Sequence, residues 1–174
     1  RTCVSFQTIE NRRAIPIHLR PAIGEWLFGC DDCQDSCPVN RRPARGRLAD
    51  LRATTPDDAW PPLLPILEMD DDAFRIRYRR TAIWRTKRRG LQRNACVVLG
   101  NRRDSFAVPA LAKVALSSGA DPVVRGHAAW ALGRIGGAAA QDALYRAVTA
   151  ETRSVTPDDS GLVAEVTAAR TLCE

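Results

Sequence analysis

Asn94-Ala95-Cys96-Val97-Val98-Leu99-Gly100 recurs 33 residues later as His127-Ala128-Ala129-Trp130-Ala131-Leu132-Gly133. Each copy is a small, apolar helix, and glycine is expected to close it. Between them Val108-Pro109-Ala110-Leu111-Ala112-Lys113-Val114-Ala115-Leu116 reads as a companion helix. A third copy, Val163 to Leu172, follows 40 residues after Val123 to Leu132. One such helix pair cannot bury its apolar face alone, but stacked pairs bury a continuous core. The recurrence therefore confines the second half of the chain to an array of helix pairs.

A period in this range, with Asp121-Pro122-x-Val124-Arg125 ahead of an Ala-rich helix, predicts a HEAT-like stack. Composition agrees: only 6% of the 174 residues are aromatic, which suits packed aliphatic helices better than a β-sandwich. Asp70-Asp71-Asp72 supplies an acidic helix start suited to the positive end of a helix dipole. Phe74 and Tyr78, four residues apart, share a face of that helix. No apolar run is long enough to span a membrane.

The net charge of +6 is concentrated in one place. From Arg75 to Arg103 there are eleven Arg or Lys and no Asp or Glu, a block that attracts a polyanion such as nucleic acid. Within it Arg85, Lys87, Arg88, Arg89 and Arg93 run through a helix junction, where phosphate can meet both side chains and free amides. They are the candidate RNA contacts. Trp84 could stack on a base or pack in the core.

The first 50 residues follow different rules. Cys30-x2-Cys33-x3-Cys37-Pro38 has the spacing of the last three cysteines of a bacterial ferredoxin run, with Leu27 where another cysteine would stand. Cys3 is the nearest upstream thiol. Tight spacing without a secretory signal favours metal ligation over disulfides and a reducing cytoplasm. In two-cluster ferredoxins the cysteine before the proline ligates the other cluster. Cys30 and Cys33 would then share one 4Fe-4S cluster with Cys3, and Cys37 would reach a second. Two such clusters need about eight thiolates, so the remaining ligands are expected upstream of Arg1. Alternatively Cys3, Cys30, Cys33 and Cys37 close one tetrahedral zinc site or one cluster by themselves, and with a structural zinc site the protein would be a non-enzymatic RNA-binding adaptor. Cys96 and Cys173 fall at apolar helix positions and read as buried thiols. His18 and His127 read as packed or surface residues, and no hydrolytic triad can be assembled.

Arg1-Thr2-Cys3-Val4-Ser5-Phe6-Gln7-Thr8-Ile9-Glu10, Gly29-Cys30-Asp31-Asp32-Cys33-Gln34-x-x-Cys37-Pro38-x-Asn40 and Thr81-Ala82-Ile83-x-Arg85-x-Lys87-Arg88-x-Gly90-Leu91-x-Arg93-Asn94 resemble the tRNA epoxyqueuosine reductase family. So does Val124-Arg125-x-His127-Ala128-Ala129-Trp130-Ala131-Leu132. Val39 stands where the family often has Trp. The resemblance implies a cobalamin-dependent enzyme with two 4Fe-4S clusters that reduces epoxyqueuosine to queuosine at the tRNA wobble position. It implies that Cys3, Cys30 and Cys33 hold the cobalamin-proximal cluster, that Cys37 completes the distal one, and that Ser5, Asp31 and Asp32 lie near the corrin. The catalytic acid and cobalamin domain would precede Arg1, so the chain is expected to be a C-terminal fragment, inactive alone. A cobalamin-dependent reductive dehalogenase relative is the enzymatic alternative.

The expected architecture is mainly α. Residues 1–50 form half of a ferredoxin-like iron–sulfur module, 51–68 a Pro-rich connection, and 69–174 the HEAT-like domain that holds the tRNA anticodon arm. The expected partners are tRNA and an electron donor, with no membrane and a monomeric, cytoplasmic state.

Overall fold

A computed structural model describes residues 2–42, 46, 48, 53–153 and 169. Its α-helices are α1 (Arg20–Ile23), α2 (Asp32–Asp35), α3 (Pro56–Ala59), α4 (Leu63–Glu68), α5 (Asp71–Tyr78), α6 (Lys87–Arg102), α7 (Val108–Leu116), α8 (Pro122–Ile135) and α9 (Ala138–Arg153). Among the described residues there is no strand, as the repeat pattern and the scarcity of aromatics predict. The third copy, Val163 to Leu172, lies outside the described residues save for Ala169, which is buried.

Local sequence sets several boundaries. Asp70 caps α5, its carboxylate accepting a hydrogen bond from the Ala73 amide at 2.8 Å, and Asp71 and Asp72 occupy the first turn beside the helix's positive end. Phe74 and Tyr78 emerge together on its buried face, ring centroids 5.4 Å apart. Asp121 caps α8 through the Val123 amide at 2.9 Å, with Pro122 in the first turn. Thr55 and Asp58 form a capping box on α3, so the turn-rich Thr55–Pro62 stretch includes a single helical turn.

The repeat glycines do something other than close helices. Gly100 lies inside α6 and Gly133 inside α8. A Cβ on Gly100 would sit 2.8 Å from Trp130 Cζ3 and 2.9 Å from Ala131 Cα. One on Gly133 would run into the backbone of Ala169. Both are points of close helix approach, and the ends are made by Arg103 and Gly136, each at positive φ.

Helix α6 is the axis of the molecule. Every residue from Gly90 to Gly100 is buried, so no stripe of it faces solvent. It packs on α8, on α4 and on the N-terminal segment. The expected connection 51–68 includes α4, whose Ile66 and Leu67 are buried in the same core as the repeat helices. No helix of the described residues is long and apolar enough to cross a membrane.

Candidate iron–sulfur module and basic pocket

The polar residues of α6 hold the N-terminal segment in place. Arg93 is 2% exposed and donates to the carbonyls of Asn11, Arg13 and Gln7, each at 2.7 Å. Asn94 donates to Thr8 O at 2.7 Å and to Leu27 O at 2.9 Å. Seven residues on, and therefore on the same face, Asn101 donates to Arg20 O and Gly24 O, both at 2.9 Å. These side chains meet carbonyls in the loops and at the ends of the short helical turns of this segment, Phe6–Glu10, Ile17–Leu19 and Arg20–Ile23, which the backbone ladder leaves without a partner. From α8, His127 Nε2 accepts the Ile15 amide at 3.1 Å while Nδ1–H donates to Val123 O at 2.7 Å.

The cysteine loop hangs from this clamp. Thr8, whose carbonyl Asn94 holds, accepts the Gly29 amide on its hydroxyl at 3.1 Å, one residue before Cys30. Gly29 has φ 78°, a conformation that suits glycine and turns the chain toward the cysteines. Beyond them, Asn40 Nδ2 donates to Gln34 Oε1 at 2.7 Å and to Gln34 O at 3.2 Å, closing the loop around α2. Asp31 and Asp32 contribute backbone carbonyls to that turn, and the Asp31 side chain makes no capping bond.

Cys3 and Cys33 are exposed, Cys30 and Cys37 half-buried, and all are free thiols. The Asp32 amide favours the Cys30 thiolate, but burial, the Asp32 carboxyl and neighbouring Cys33 outweigh it and raise the Cys30 pKa. A metal must therefore displace a proton there. No three Cys, His or carboxylate groups of the described residues converge on one point. Soft, surface-facing thiolates fit iron–sulfur ligation. Ser5, two residues after Cys3, is half-buried, and Asp31 and Asp32, between Cys30 and Cys33, are exposed.

The basic segment divides into a buried and an exposed part. Arg93 is corrected from an RNA contact to a core residue: its N–H groups are spent on carbonyls and on Asn94 Oδ1. Burial and the charges of Arg89, Arg12 and Arg20 lower its pKa to about 10. Arg85 pairs with Glu10, Arg88 with Asp71 at 2.6 Å, and Arg89 with Asp121 at 2.9 Å. Lys87 lies over the Trp84 ring, 5.0 Å from its centroid. Trp84 itself is half-buried and stacks on Phe74, centroids 5.4 Å apart, which makes it a core-edge residue. Arg12, which no sequence pattern marks, joins Lys87, Arg89 and Arg93 around a cavity of about 280 Å³. Cys96 is buried with its thiol pKa pushed up to about 12 by desolvation, as its apolar position predicts, and Cys173 lies outside the described residues.

Comparison with known proteins agrees with both halves. A family model described as a 4Fe-4S double cluster binding domain matches residues 1–40, and one for HEAT repeats matches 81–158. The chain is 35% identical over 150 residues to epoxyqueuosine reductase of Bacillus subtilis, covering 86% of this chain and 38% of the relative. It is 37% identical over 141 residues to that of Staphylococcus aureus, covering 80% and 36%. Among solved structures, the B. subtilis enzyme superposes with a TM-score of 0.87 at 30% identity over 99% of this chain and 44% of its own. An epoxyqueuosine reductase bound to an epoxyqueuosine-modified tRNA-Tyr stem loop gives 0.87 at 30% identity over 98% and 43%. The chain thus spans less than half the length of these relatives. Over that span the cysteine spacing, the clamp beneath it, the helical repeats and these likenesses coincide, and the chain belongs to the epoxyqueuosine reductase family.

Proposed function

We propose that this chain is the C-terminal part of an epoxyqueuosine reductase: an electron-carrying iron–sulfur module fused to a helical domain that holds the tRNA anticodon arm. The observation that carries the reading is the shared use of α6. Its middle pins the loop before Cys30 through Asn94 and Thr8, and its first turn presents Lys87, Arg88 and Arg89. Metal ligands and an RNA-attracting face are thus fixed to one rigid element.

In this reading Cys3, Cys30 and Cys33 hold one 4Fe-4S cluster with one thiolate from outside residues 1–174, and Cys37 completes a second. Clusters held there would supply electrons for reduction of the epoxide. A corrinoid would be enclosed by residues outside this chain, with Ser5, Asp31 and Asp32 at its edge. An electron donor, a monomeric state and a reducing cytoplasm complete the proposal. The test is anaerobic purification of the full-length protein, followed by iron and sulfide analysis and an assay on epoxyqueuosine-bearing tRNA. About eight irons per chain and conversion to queuosine are expected. Stoichiometric zinc without iron, or a cluster-loaded protein inert toward that tRNA, would overturn it.

A further inference from the structure

The pocket at the seam between the N-terminal segment and α6 is electrostatically unfinished. Arg93 at its base is a buried cation bonded only to neutral oxygens. Arg12 and Lys87 at its rim have no carboxylate partner among the described residues, and Arg89 shares Asp121 as its one counter-charge. Three further cations around a buried one repel it, and burial weakens the screening that would relieve this. An anion in the cavity would offset the repulsion. At about 280 Å³ the space is just below the roughly 300–1,000 Å³ of whole-ligand pockets, so it takes one small group of a larger molecule. The other described cavity, of about 300 Å³, mixes Glu68, Asp70 and Asp121 with Arg88 and Lys113 and selects no sign of charge.

We infer that this cavity is a phosphate-binding pocket, with Arg12 and Lys87 as its donors, that seats one backbone phosphodiester of a bound RNA. The inference rests on the RNA-holding role proposed above. It adds a contact from the cysteine-bearing segment to those of the helices: RNA seated there would touch both halves of the molecule at once. Arg93 serves as a fixed positive charge and Arg89 as a partly neutralised neighbour.

The test uses the whole chain and two probes. Binding of an anticodon stem-loop transcript is measured against salt, and inorganic phosphate is titrated in a thermal-shift assay against chloride at matched ionic strength. Arg12→Ala removes an exposed side chain without a described partner, so folding should be unaffected. Lys113→Ala, which removes a cation from the far cavity, controls for net charge. Arg12→Ala and Lys87→Ala should each weaken RNA binding roughly ten-fold and reduce the slope of log affinity against log salt by about one. Phosphate protection should also disappear in both variants, while Lys113→Ala leaves all three readouts near those of the unmodified chain. Unchanged affinity and slope in Arg12→Ala would overturn the phosphodiester assignment, and loss of phosphate protection alone would reassign the pocket to free phosphate. If the unmodified chain binds no RNA, the RNA-holding role fails. The phosphodiester assignment falls with it, and phosphate titration then decides whether the pocket binds anions at all.

Discussion

His127 is a structural imidazole whose neutrality matters. Nε2 must be unprotonated to accept the Ile15 amide, and desolvation, followed by the charge of Arg20, lowers its pKa well below 6.5. Below pH about 6.5 the unfolded chain takes up a proton that the folded chain refuses, so stability falls as pH falls, by about 1.4 kcal/mol per unit. Denaturant midpoints between pH 7.5 and 5.5 should show this loss, and His127→Gln should flatten it. An unchanged slope would assign the loss to other groups. Lys87 gives a second test at this scale. Its φ of 61° and ψ of 163° suit glycine, and a side chain there costs on the order of 1–3 kcal/mol. Lys87→Gly should raise the melting temperature by about 2–4 °C while Lys87→Ala should not; equal shifts would rule out backbone relief.

At the scale of elements, α6 shows what sequence conveys and what it conceals. Gln92, Arg93 and Asn94 are consecutive, so they point to three sides of the helix. Gln92 donates to Leu67 O at 3.0 Å and Met69 O at 3.1 Å at the end of α4, while its neighbours hold the N-terminal segment. Replacing Arg93 with Met would leave the buried Gln7 carbonyl and the part-buried Asn11 and Arg13 carbonyls without their donor, a cost of about 2–3 kcal/mol, and Lys would restore little because one ammonium cannot span them. Chemical denaturation measures both; a Met variant within about 1 kcal/mol of the parent would show that water replaces the guanidinium. Gly100→Ala should cost about 1–3 kcal/mol by overpacking against Trp130. The repeat and its helices were legible because a 33-residue recurrence survives in local sequence, and the cysteine run because its ligand spacing is local too. The glycines' role was hidden, since a helix end and a close crossing both call for glycine. Arg93 looked like its basic neighbours because burial depends on residues some 80 positions away. Arg12 was silent for the same reason.

For the whole molecule, these buried bonds decide whether an iron–sulfur module and a repeat domain exist as separate bodies. The chain reads as two units joined by a Pro-rich connection, yet Ile15 and Ile23 belong to one apolar cluster with Leu91, Leu99 and Trp130. Arg20 is fully buried over the Trp130 ring, 5.5 Å from its centroid, and donates to Ile15 O at 2.8 Å. Separating the halves would expose this apolar surface and leave Arg93, Asn94, Asn101 and His127 without their partners. Each lost bond is worth about 1 kcal/mol net, and together they are comparable to the 5–15 kcal/mol that stabilises a typical domain. Calorimetry on the full chain should therefore give one transition with equal calorimetric and van't Hoff enthalpies. A piece comprising residues 53–174 should lose cooperative melting or unfold far below it. A repeat piece that melts cooperatively at the parent temperature would make the two halves independent. RNA seated on the helices could then reach the cysteine loop only by direct contact, since no shared fold would link them.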